Sequence, residues 1–124
     1  MSAPKTITEL NRRFEYQGDG KFDTWEILDQ DGKLKGDCDD YASTALYVVE
    51  GCSVRKWWKS LITFKAVIWY VRTDNKEGHA MLWHKDYGYI DNITKKWSKK
   101  PPFKKVFPYI IPLVAFKMAL KKLT

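Results

Sequence analysis

Cysteine, histidine and long apolar runs are all scarce in this sequence, and each scarcity excludes something. Its 124 residues hold two cysteines and two histidines. A structural zinc site needs four ligands at close, regular spacing, which one Cys and one His among crowded carboxylates do not supply. No EF-hand loop occurs, so a calcium site of that kind is excluded. No apolar run approaches the ~20 residues of a membrane-spanning helix. The opening residues, Met1 to Leu10, lack the apolar core of a secretory signal. The chain is therefore expected to be cytoplasmic, or else phage-associated or exported by a non-classical route. No internal repeat and no linker divides it, and its length suits one domain over residues 1–124.

What is abundant is aromatic and basic. Six Trp, seven Tyr and six Phe supply bulky core material, within 44% hydrophobic and 30% charged residues. Trp57, Trp58, Trp69, Trp83 and Trp97 fall mostly in strand-like segments and are expected in the core. The net charge of +7 comes from 22 Lys and Arg against 15 Asp and Glu. The excess gathers in Lys95-Lys96, Lys99-Lys100, Lys104-Lys105 and Lys121-Lys122, which favours encounter with an anionic partner. No nucleic-acid module accompanies these lysines, so they read as a solvated basic face and nucleic acid is not the expected partner.

Along the chain, residues 5–14 pattern as a short helix with Thr6 or Thr8 as cap and Ile7, Leu10 and Phe14 on one face. Residues 23–28 suit a helical turn or two, and residues 29–33 a turn. A helix over residues 38–50 places Cys38, Tyr41, Ala42, Ala45, Val48 and Val49 on one apolar stripe, with carboxylates in its first turn and Gly51 just past its end. Residues 61–71 read as a central strand, apolar on both faces beyond Lys65. A loop over residues 73–78 leads to a strand from His79 to His84, a turn at Lys85-Asp86 and a strand from Tyr87 to Asp91. Residues 94–105 read as a basic surface loop. Residues 107–120 suit another strand followed by an amphipathic helix from about Pro112. If residues 38–50 are helical, Cys38 and Cys52 stand at opposite ends of an element roughly 18 Å long, too far apart for a disulfide.

The chemistry concentrates in Gly36-Asp37-Cys38-Asp39-Asp40-Tyr41-Ala42. A cysteine opening a helix gains thiolate character from the N–H groups and dipole there, while three neighbouring carboxylates oppose it. A positive partner resolves that conflict. His79 is the candidate base and Asp91 the candidate orienting carboxylate, on adjacent strands that bring them together as cross-strand neighbours. His84 alternates onto the opposite face. The plain alternative is a packed cysteine in a solvated acidic turn, with Asp37, Asp39 and Asp40 as helix-end carboxylates. Cys52 is expected to be a packing residue.

The Cys segment resembles the Gly-Asp-Cys-Glu-Asp-Tyr-Ala signature of the bacterial transglutaminase-like cysteine proteinases of the LapG type, with Asp39 in place of Glu. His79-Ala80-Met81-Leu82 and Ile90-Asp91-Asn92 are similar to that family's His and Asp elements. Asn11 to Phe14 and Trp25 to Leu28 resemble its first helix and its Trp segment. The resemblance implies an α+β fold with a papain-like, transglutaminase-type core, in which a Cys-bearing helix packs on an antiparallel sheet. It implies thiol-dependent hydrolysis of an amide or peptide bond by Cys38 as nucleophile, His79 as general base and Asp91 as orienting carboxylate. The substrate is then a protein or peptide, such as a cell-wall peptide. Calcium is the ion that Asp37, Asp39 and Asp40 would hold by the same resemblance. Transamidation is the sibling chemistry, and a non-catalytic binding protein on the same fold is the competing class. The backbone N–H of Cys38 is the natural oxyanion donor, with a second donor near Trp25.

Overall fold

The computed structural model describes residues 4–16, 27–28, 31–73, 78–109 and 114–115. Their elements are, in chain order, α1 (Ile7–Arg13), β1 (Phe14–Tyr16), β2 (Leu34–Gly36), α2 (Cys38–Val49), α3 (Val54–Ile62), β3 (Ala66–Arg72), β4 (Gly78–His84), β5 (Gly88–Ile90) and β6 (Lys104–Pro108). They form a small mixed α+β domain. One sheet, in the order β5-β4-β3-β6, is antiparallel throughout, and β1 pairs with β2 in parallel.

Local chemistry sets the helix ends. Thr6 caps α1 by accepting the Glu9 N–H. Asp37 and Asp40 close a reciprocal capping box on α2, each carboxylate accepting the other's backbone N–H at 3.1 Å. At the far end of α2, Gly51 takes a φ of 74°. Its N–H bonds the Val48 carbonyl and the Cys52 N–H bonds that of Tyr47, the paired bonds of a Schellman stop. Helix α2 thus begins and ends where its side-chain pattern places it.

Strand β3 lies between β4 and β6, and apolar side chains cover both faces of the sheet. On one face Ala66, Ile68, Ala80, Leu82 and Ile90 pack with Tyr41, Ala42, Ala45 and Leu46 of α2 and with Trp57 of α3. On the other, Val71, Met81 and Tyr89 form a second cluster under Trp69, Trp83 and Phe103.

Three expectations change. Trp57 and Trp58 lie on a helix, α3, capped by Ser53. Its buried face is Trp57, Ser60 and Leu61, an i, i+3, i+4 set that a short apolar run does not distinguish from a strand. The central strand consequently begins at Ala66, because Leu61 and Ile62 finish α3 and Phe64 turns the chain at a φ of 60°. The turn after β4 takes in Tyr87, and the basic segment is not all loop: Ser98 bridges to Tyr89 and Lys104 opens β6. The expected elements at residues 23–26, 29–30 and 74–77, and most of the expected C-terminal helix, lie outside the described residues. Neither cysteine is in a disulfide.

Trp57 tests this packing. It is fully buried, and its indole N–H donates to the Ser43 carbonyl at 2.9 Å. Trp57→Phe keeps a ring but loses the indole hydrogen bond and leaves a gap, so it is expected to lower unfolding stability by roughly 2 kcal/mol. Urea denaturation at neutral pH measures the loss.

Candidate active site

Each predicted catalytic side chain sits at the end of an element. Cys38 is the first residue of α2, His79 the second residue of β4, and Asp91 the residue after β5. Helix α2 packs against β4 through the Ala80 and Leu82 face of that strand, and alternation sets His79 on the other face, with Met81 and against Phe103.

His79 and Asp91 are brought together. His79 Nε2 lies 3.6 Å from Asp91 Oδ1, with both side chains buried. They are diagonal rather than direct cross-strand neighbours. Leu82 stands opposite Ile90, so the same register sets Asp91 across from Met81, two residues from His79. A diagonal pair on one face is still within reach of long side chains. The Phe103 ring packs edge-on to the imidazole, with centroids 5.4 Å apart.

Asp91 is held as an anion. Its Oδ1 accepts the backbone N–H groups of Ile93 and Thr94, both at 2.8 Å, an Asx-type turn. Burial pushes its carboxyl up, but His79 beside it and the N–H groups of Thr94 and Ile93 outweigh burial, so its pKa is lowered. His79 Nε2 and Asp91 Oδ2 are buried and make no hydrogen bond in the structure. At this spacing a small rotation of the imidazole ring brings the two groups into hydrogen-bond distance.

Two further residues tie the pair to α2. Tyr41, one turn after Cys38, donates its hydroxyl to Asn11 Oδ1. Burial and then the charge of Asp91 push the Tyr41 phenol up, so it stays protonated and serves as a donor. Asn11 Nδ2 donates to the Lys95 carbonyl at 2.8 Å, and the Lys95 N–H bonds the Asp91 carbonyl at 2.9 Å. The chain Tyr41–Asn11–Lys95–Asp91 thus joins the first turn of α2 to the backbone of the candidate carboxylate. The sequence places Tyr41 in the Cys motif and on an apolar stripe, and gives its hydroxyl no partner. The available signal was Asn11, a polar residue inside a short amphipathic helix.

Asp37 and Asp40 each spend a carboxylate oxygen on the capping box, and Asp39 is buried in the same turn. Among the described residues no three His, Cys, Asp or Glu side chains group as a metal site requires. The carboxylates as arranged fit a helix cap rather than a calcium site. His84 lies on the helix side of the sheet, with its Nε2 2.6 Å from Glu50 Oε2 at the C-cap of α2. The expected second oxyanion donor, near Trp25, lies outside the described residues.

No protein-family model matches this chain, nor does any curated protein. Among the described residues, no helix is long and apolar enough to cross a membrane.

Proposed function

We propose that the protein is a thiol hydrolase with a papain-like, transglutaminase-type core, cleaving an amide or peptide bond through a thioester on Cys38. The buried His79–Asp91 pair carries this reading. A desolvated carboxylate held by two N–H groups, with one oxygen facing a buried imidazole, is an arrangement that orients a base and steadies its cationic form.

In the proposed cycle, Cys38 Sγ attacks the substrate carbonyl carbon while its proton passes to His79. With Nε2 turned toward Asp91, Nδ1 is the nitrogen that serves the thiol. The carbonyl oxygen becomes an oxyanion beside the start of α2, where backbone N–H groups point out of the helix end. His79 then gives its proton to the departing amine as the C–N bond breaks, leaving the thioester. A water loses a proton to His79 and adds to the thioester carbonyl. The acid leaves and the proton returns to sulfur. An amine in place of water makes the same site a transamidase. A protein or peptide substrate, a cell-wall peptide among them, fits this chemistry.

The two thiols provide an internal control, because Cys38 and Cys52 are similarly half-buried. Iodoacetamide at pH 7 is expected to label Cys38 at least about tenfold faster than Cys52, since thiolate content sets the rate. His79→Ala is expected to erase the difference. Slow, equal labelling of both thiols in the unaltered protein would instead favour a binding protein on the same fold.

A further inference from the structure

The opposite end of α2 carries a second cluster of charge. A cavity of about 450 Å³ opens there, lined by Glu50, Lys56, Lys59, Ser60, Thr63 and Lys65. Lys56 and Lys59 stand one helical turn apart on α3, next to the buried Ser60, and Thr63 is the C-cap of that helix.

Glu50, buried at the floor of the cavity, is hydrogen-bonded from beneath by His84. His84 Nδ1 accepts the Asp86 N–H at 3.1 Å, so its proton sits on Nε2 and is donated to Glu50 Oε2. The other Glu50 oxygen lies 3.6 Å from Lys65 Nζ. The Glu50 charge is therefore engaged from both sides. Lys56 and Lys59 form no ion pair with an acidic side chain among the described residues. Three lysines against one glutamate leave the cavity with two positive charges in excess.

We infer that this cavity binds a compact phosphate polyanion of the pyrophosphate class. Two ammonium groups one helical turn apart suit two linked phosphoryl groups, while a single phosphate engages only part of the set. Ser60 and Thr63 donate their hydroxyl hydrogens to the carbonyls of Trp57 and Lys59, so they add no donors, and the lysines carry recognition as point charges. Binding of this kind weakens as salt rises. The site stands apart from Cys38 and does not depend on the chemistry proposed there.

Calorimetric titration of the full chain with inorganic pyrophosphate at low salt tests the inference. Saturable one-to-one binding is expected, weakened by about tenfold or more in Lys56→Ala/Lys59→Ala, as loss of two charged contacts implies. Lys99→Ala/Lys100→Ala removes the same net charge elsewhere and is expected to leave the affinity within about twofold. A parallel titration with ADP distinguishes the source: tighter binding than pyrophosphate assigns the diphosphate to a nucleotide, and equal or weaker binding to the free anion. Absence of saturable pyrophosphate binding, or equal weakening by both double variants, overturns the site.

Discussion

Asp91→Asn is expected to slow alkylation of Cys38 by about tenfold or more near pH 6 while leaving the local backbone in place. Asparagine retains an oxygen to accept the Ile93 and Thr94 N–H groups, so the turn that holds residue 91 survives. What disappears is the negative charge 3.6 Å from His79 Nε2. Two unit charges about 4 Å apart interact by roughly 4 kcal/mol at an effective dielectric of 20. A third of that is already about tenfold in rate, and a thiolate–imidazolium pair loses it when its counter-charge is removed.

The same variant has a stability signature with a defined sign. The Asp91 carboxyl is more acidic in the folded protein than its ordinary value of 3.8. Such a group stabilises the fold fully above the unfolded value, and its contribution fades as pH falls through the lower folded one. The stability gap between the unaltered protein and Asp91→Asn is therefore expected to be widest near neutral pH and to close below about pH 4. Thermal unfolding across that range reads it. A gap that is flat with pH would mean that Asp91 contributes shape and not charge.

Gly36→Ala is expected to destabilise the protein by roughly 3 kcal/mol, through overpacking and loss of a cap together. A Cβ at residue 36 would lie 2.7 Å from Asp40 Oδ2, 2.8 Å from Asp40 Cβ and 3.1 Å from Leu28 Cδ2. Asp40 is fully engaged, since its carboxylate accepts the Asp37 N–H in the capping box, and it has only 2% of its surface exposed. The intruding methyl displaces that side chain and opens the first turn of α2, the turn that begins with Cys38. Urea denaturation measures the loss. A double-mutant cycle with Asp37→Ala is expected to be sub-additive, because both changes break the same box. Additive losses would separate the glycine from the cap. The glycine of the motif is thus a steric requirement of the helix start, with no contact to substrate needed to explain it.

Helix α2 was legible in the sequence because all its determinants are local. Its acidic first turn, its apolar stripe and Gly51 lie within a few residues of the groups they act on. The strand from His79 was legible for the same reason, since alternation is a property of neighbours. Helix α3 was not: Trp57-Trp58 followed by Leu61-Ile62 satisfies either period, and burial of Trp57 against the Ser43 carbonyl decides it. The candidate triad was visible as residue types in chain order, and the two histidines were correctly assigned to opposite faces. Their partners were not visible. That His79 meets Asp91 along a diagonal follows from the register of β4 on β5, and a shift of one residue would have turned every side chain to the other face. That His84 meets Glu50, and that Asn11 links Tyr41 to the loop after Asp91, depends on contacts between residues 34, 30 and 84 positions apart. Short-range preferences determined by sequence alone were enough to begin and end the central helix on either side of its cysteine-to-glycine span. Which charges share a buried space was decided only by tertiary packing, because the cost of desolvating an ionised group depends on everything that surrounds it.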